Sequence, residues 1–287
     1  MQYVLEYTAH QVLSVIRGKV MLIDFHSHIF PERIASGAIR SLSDSIVSYQ
    51  GVRHRHYARG TRDSLLSSMD RNGVDISVVL PIATKPTQTK SINEFAKNLR
   101  DERLVSFGSL HPEQDDWEYV LENLAEDGFK GIKLHPEYQS FYVDSKRSID
   151  ILKKAEDLGL FVTLHAGFDN GMPPPVHCQP YRLKNVLDYV SGKYIIAAHL
   201  GAFKNWDEVE THLVGTPVNF DTAYISEFIS PEQCKRIIKN HGADKILFGS
   251  DSPWQSPANE CRFLLNLGLS DAENDMIFYK NALKILR

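Results

Sequence analysis

The chain has 287 residues and a mass of 32.6 kDa, with 43% hydrophobic side chains, a formal charge of -4 and a pI near 6.3. It is long enough to bury a large core, and its acidic balance offers no clustered Lys/Arg footprint for nucleic acid. The three cysteines, Cys178, Cys234 and Cys261, are odd in number and lack CxxC spacing, which excludes a zinc finger and disfavours disulfides, so a reducing cytoplasm is the expected location.

In residues 1–20, Val4, Leu5, Val12, Leu13, Val15 and Ile16 share much of one helical face and predict a short amphipathic helix on an N-terminal extension. Glu6, His10 and Gln11 interrupt the apolar run, which falls short of the ~18 residues of a membrane span, so the stretch reads as neither signal peptide nor anchor. Met21 is an alternative natural beginning, and a single domain is expected over residues 21–287.

The first strand-like run is Val20 to Phe25, which leads directly into His26-Ser27-His28. Further runs cover Asp75 to Pro81, Leu104 to Leu110, Phe129 to Leu134, Leu160 to Leu164, Tyr194 to Ala198, Val218 to Asp221, and Lys245 to Gly249. Stretches of helical spacing lie between them, such as Trp117, Val120, Leu121 and Leu124, or Ile149, Ile151, Leu152, Ala155 and Leu158. Eight near-continuous apolar strands alternating with helices predict an α/β fold, a closed (β/α)8 TIM barrel. A doubly wound open sheet is the rival, but the first strand is followed by His-Ser-His-Ile-Phe-Pro and not by a Gly-rich dinucleotide turn. Two connections look long: Ile29 to about Arg62, and Ala166 to Arg182, which carries Pro173, Pro174, Pro175 and Pro180.

In such a barrel the reactive groups stand at the carboxyl ends of the strands. Those ends carry His26 and His28, His111, Lys133 and His135, His165, His199, and Asp251. His26 and His28, two apart, leave one face of their strand and can meet a single cation. With His165 and Asp251 they make a His3Asp set suited to Zn2+, or to Mn2+ or Co2+, with one position left for water or substrate. Asp251 has two candidate roles, as ligand and as general base, while His199 is a candidate fourth ligand or proton carrier.

Five motifs in this order are specific. They are Asp24-Phe25-His26-Ser27-His28, Gly131-Ile132-Lys133-Leu134-His135-Pro136, Leu164-His165-Ala166-Gly167, Ala198-His199-Leu200-Gly201 and Phe248-Gly249-Ser250-Asp251-Ser252-Pro253. On them the chain resembles the amidohydrolase superfamily, in particular the amidohydrolase-related branch of metal-dependent TIM-barrel hydrolases, which also contains non-oxidative decarboxylases. The resemblance implies metal binding by His26, His28 and His165, Asp251 as ligand and general base, and His199 at the site. In some relatives a lysine placed like Lys133 is carboxylated and bridges two metals. No other acidic ligand appears on strand four, so one ion is expected, with Lys133 an ordinary buried ammonium.

Lys133 and His135 share strand parity and are candidate substrate contacts. Arg53 and Arg55, within Arg53-His54-Arg55-His56, are candidates to grip a substrate carboxylate, against the plainer reading of a solvated basic stretch. Arg182 is a candidate contact or a loop pin, Cys178 a packing residue, and Trp206 and Trp254 candidate pocket walls. The expected activity is hydrolysis of a C–N or C–O bond in a small, carboxylated molecule. Decarboxylation on the same site is the alternative, and a ligand-binding barrel without catalysis is a third reading. A small-molecule substrate is the expected partner, with no nucleic acid and no membrane, and barrels of this kind often pair as homodimers.

Overall fold

The computed structural model describes residues 21–287, so the extension and the helix predicted for it lie outside the described residues. The strands are β1 (Ile23–Ser27), β2 (Ile76–Val79), β3 (Leu104–Ser106), β4 (Gly108–Ser109), β5 (Gly131–Leu134), β6 (Phe161–Leu164), β7 (Ile195–Ala197), β8 (Asn219–Asp221) and β9 (Ile246–Leu247). All neighbours pair in parallel, in the orders β1-β2-β3 and β4-β5-β6-β7-β8-β9. β3 and β4 are two pieces of one predicted strand, parted at Phe107, whose backbone N–H still donates to Val79 O at 2.9 Å.

Backbone bonds bring the last strand back to the first: Phe25 N donates to Phe248 O at 2.8 Å, Asp251 N to His26 O at 2.8 Å, and His28 N to Ser252 O at 2.6 Å. The eight predicted strands thus form the expected (β/α)8 barrel, with helices outside. Helix Trp117–Glu126 buries Trp117, Leu121 and Leu124, and helix Lys146–Asp157 buries Ile151, Leu152 and Ala155, as their spacing required. One hydrophobic core extends from Leu22 to Ile285. Among the described residues no helix is long and apolar enough to cross a membrane.

The stretch after β1 differs from expectation. Most of what looked like a long connection is a 19-residue helix, Glu32–Gln50, ended by Gly51 in the left-handed conformation. Its buried face holds only Ala35, Ile39 and Ser43, too small and polar a stripe to announce a helix in the sequence. Residues 51–61 then fold back, with Tyr57 N donating to Pro253 O at 2.7 Å and Phe30 N to Gly60 O at 2.8 Å.

Two features of the frame are directly testable. Gly131 pairs with Phe161, and a Cβ there would stand 2.3 Å from Phe161 O and 2.5 Å from the Phe107 ring. Gly131→Ala therefore forces the strands apart, and urea denaturation should show a loss of about 1–3 kcal/mol; an unchanged midpoint would contradict this packing. Glu260 is wholly buried and accepts hydrogen bonds from Ser226 N and Oγ, fastening the loop after β8. Burial raises its carboxyl from 4.5 to about 8. The folded state binds this proton more tightly than the unfolded one, so the stabilisation is complete below 4.5 and is lost as pH rises through about 8. Glu260→Gln should narrow the difference in Tm between pH 5 and pH 9; an unaltered difference would refute the assignment.

Candidate metal centre

β1 ends at Ser27, and its inward positions present Asp24 and His26, with His28 just beyond. His26 Nε2 and His28 Nε2 are 3.1 Å apart, and Asp251 Oδ1 is 3.5 Å from the first and 3.2 Å from the second. His165 and His199 form a second pair, with His165 Nδ1 3.1 Å from His199 Nε2. The His199 ring lies 5.3 Å, centre to centre, from that of His26, and the His165 ring 4.9 Å from that of His199. The tightest group is His26–His28–Asp251, whose donor atoms lie within 4.8 Å of one another, and His165 adjoins the site through its contact with His199.

The tautomers decide what these contacts mean. His28 Nδ1 faces Leu80 O at 2.8 Å, His199 Nδ1 faces Ala223 O at 2.8 Å, and His165 Nε2 faces Phe168 O at 3.2 Å. A carbonyl only accepts, so each of these nitrogens carries the proton. His26 Nδ1 donates likewise to the Asp221 carboxylate at 2.8 Å. The other nitrogen of every ring is then a bare lone pair pointing inward. Two lone pairs at 3.1 Å repel unless a cation lies between them. A proton serves poorly here, because burial, with help from the nearby Lys133 charge, pushes His26 well below the usual histidine range. The edges of the triangle match the roughly 3.3 Å separation of ligands about a tetrahedral ion bound at 2.0–2.1 Å. The donor set therefore fits a divalent metal.

A second group, His135, His165 and Asp169, is almost as tight but differs chemically. His135 Nδ1 accepts Tyr138 N at 3.4 Å, which leaves its proton on Nε2, 3.5 Å from Asp169 Oδ2. His165 Nε2 is protonated as well, and the two rings stack at 4.1 Å with 8° between their planes, so their nitrogens do not converge on one point. These side chains form a hydrogen-bonded wall.

Backbone strain gathers at the same place. His199, Leu200, Tyr224 and Asp251 have φ of 60°, 56°, 58° and 66°, a region where such residues cost about 1–3 kcal/mol each. Asp251 is held there by its N–H bond to His26 O, and His199 by Trp206 Nε1 donating to its carbonyl at 3.0 Å.

The other sequence candidates scatter. Lys133 reaches the centre: it is 1% exposed, its Nζ stands 3.4 Å from His26 Nε2, and burial lowers it to about 8 against the pull of Asp221 and Asp251. Arg182 does not, since its guanidinium holds Asp144 at 2.9 Å and lies over the Tyr142 ring; it pins the loop after β6. Arg53 is exposed and pairs with Asp44 at 3.1 Å, while Arg55 lies over Tyr57. Between them His54 turns inward instead, its Nδ1 2.7 Å from Tyr224 Oη. Tyr224 packs at a tilt against Phe203 and Phe228 to make an aromatic wall beside His199. Trp206 packs into that wall, and Trp254 is half-buried beyond Asp251. Burial drives the Cys178 thiol well up, consistent with a packing role. Asp221 and the His54–Tyr224 pair were missed in the sequence, although Asp221 closes a predicted strand and its position was the available signal.

The amidohydrolase family pattern matches residues 23–287. The chain belongs to the amidohydrolase family. No curated protein matches its sequence significantly. Among solved structures, this amidohydrolase is similar to a 2,6-dihydroxybenzoate decarboxylase in complex with 2,6-dihydroxybenzoate (14% identity, 93% of this chain, 99% of the other, TM-score 0.65). It is also similar to a 5-carboxyvanillate decarboxylase from Novosphingobium aromaticivorans DSM 12444, complexed with manganese and 4-hydroxy-3-methoxy-5-nitrobenzoic acid (17% identity, 93% and 96% coverage, TM-score 0.67). A third is a probable 2-pyrone-4,6-dicarboxylic acid hydrolase from Acinetobacter baumannii with citric acid bound (16% identity, 92% and 98% coverage, TM-score 0.63). At these identities the likeness establishes the barrel fold.

The tautomer assignment separates the two histidine groups experimentally. His28→Ala should weaken Zn2+ or Mn2+ binding by more than about 100-fold in a chelator competition, whereas His135→Ala should stay within about tenfold of wild type. The reverse order of effects would assign the metal to the wrong group.

Proposed function

We propose that this amidohydrolase holds one divalent ion, Zn2+ with Mn2+ or Co2+ as functional substitutes, on His26, His28 and Asp251, with His165 Nδ1 as the fourth donor. The unprotonated nitrogens of His26 and His28 facing one Asp251 oxygen, with those of His165 and His199 3.1 Å apart beside them, carry this reading. Such an ion, when bound, supplies a Lewis acid that polarises a substrate carbonyl and makes water acidic enough to act as a nucleophile near neutral pH. The protein's own groups then have distinct tasks. Asp251, whose Oδ1 stands 3.2 Å from His28 Nε2, takes the proton of the attacking water. His199 is buried beside the aromatic wall with its Nε2 unprotonated, so it can take over the proton collected by Asp251 and hand it to the departing nitrogen or oxygen. Lys133 remains an ammonium between the Asp221 and Asp251 charges and attracts a substrate carboxylate, which argues for one ion over a bridged pair. The tilted rings of Phe203, Tyr224 and Phe228 favour a flat, unsaturated substrate frame.

The leading reaction is hydrolysis of a C–N or C–O bond in a small carboxylated amide, lactone or cyclic ester. Decarboxylation on the same centre is the second reading. It draws support from the aromatic-acid decarboxylases of like fold, one with manganese, and uses the same proton carriers.

Chelation should abolish turnover, and Zn2+, Mn2+ or Co2+ should restore it. Asp251→Asn should lower kcat by about 10²–10⁴-fold. A panel of carboxylated lactones, amides and hydroxybenzoates assayed in 18O water distinguishes the reactions: label in the product supports hydrolysis, and CO2 release without label overturns it.

A further inference from the structure

Asp221, the last residue of β8, is wholly buried, and its two oxygens serve different partners. Oδ2 accepts the Nδ1 proton of His26 at 2.8 Å. Oδ1 accepts the backbone N–H of His199 and of Ala223, both at 3.0 Å. Its own carbonyl accepts Leu200 N at 2.6 Å, and Ala223 O takes the Nδ1 proton of His199 at 2.8 Å. One carboxylate therefore grips the ring of His26, the left-handed backbone of His199 and, at one remove, the ring of His199.

We infer that Asp221 is a positioning residue that couples the metal donor His26 to the proton carrier His199. It fixes the His26 tautomer that turns Nε2 toward the ion, and it clamps the two consecutive left-handed residues that aim His199 inward. The inference rests on the proposed metal centre, and it goes beyond a simple charge partner for Lys133, which would need neither the three directed hydrogen bonds nor a particular tautomer. A carboxylate behind a metal-ligating histidine orients the ring and raises its basicity.

Asp221→Asn keeps the shape and removes the charge. Its affinity for Zn2+ or Mn2+, measured on the folded protein by competition with a fluorescent chelator, should fall about 10–100-fold. Glu260→Gln, at a buried carboxyl outside the centre, should leave that affinity unchanged. In the metal-free wild-type protein labelled with 15N-histidine, NMR should show His26 protonated at Nδ1 and bare at Nε2, and this readout stands even if Asp221→Asn fails to fold. Wild-type affinity in folded Asp221→Asn, or a His26 proton on Nε2 in the wild type, would overturn the inference. Failure of the wild-type chain to bind any divalent ion would instead remove the metal centre, leaving the tautomer spectrum to decide the hold of Asp221 on His26.

Discussion

The organising constraint is the inward convergence of bare imidazole nitrogens around one carboxylate. Four histidine rings each give their outward N–H to a fixed acceptor: Asp221, Leu80 O, Phe168 O or Ala223 O. Three of those acceptors are backbone carbonyls, so the tautomers are written into the barrel itself and not into adjustable side chains. The cost of facing lone pairs across 3.1 Å is tolerable only where a cation is expected. Strained backbone at His199, Leu200 and Asp251 points the same way, since the surrounding hydrogen bonds hold geometry that the chain would not adopt alone.

The barrel makes this possible by closure. The hydrogen bond from Asp251 N to His26 O sets the carboxylate of the last strand against the histidines of the first, residues separated by most of the chain. Asp24 reinforces the seam, accepting from Ser250 N at 2.9 Å and from Ser250 Oγ, while its carboxyl is raised to about 7 by burial. Anything that parts the two strands therefore acts on the centre as well as on stability.

The apolar runs made the eight strands legible because each is buried on both faces and ends abruptly in polar residues. His26, His28, His199 and Asp251 could be read from the rule that reactive groups stand at strand ends. The rule did not reveal how the rings turn. His165 matches the motif, yet its Nδ1 faces His199 and its ring stacks on His135, because ring orientation depends on carbonyls contributed by distant loops. The helix after β1 was hidden by its serine-rich face. Arg53 and Arg55 suggested an anion grip by type alone, and Arg182 a substrate contact or a loop pin, but Asp44, Tyr57 and Asp144 engage them, and the inward residue of the first loop is His54. Pairings of this kind join positions far apart in the chain, which local pattern does not record.

The central claim is most directly tested by anomalous diffraction from crystals grown with Mn2+ or Zn2+, recorded on either side of the metal edge. The account predicts a single strong peak about 2.0–2.3 Å from His26 Nε2, His28 Nε2 and an Asp251 oxygen. A peak between His135 and Asp169, or none near the histidines at saturating metal, would contradict it.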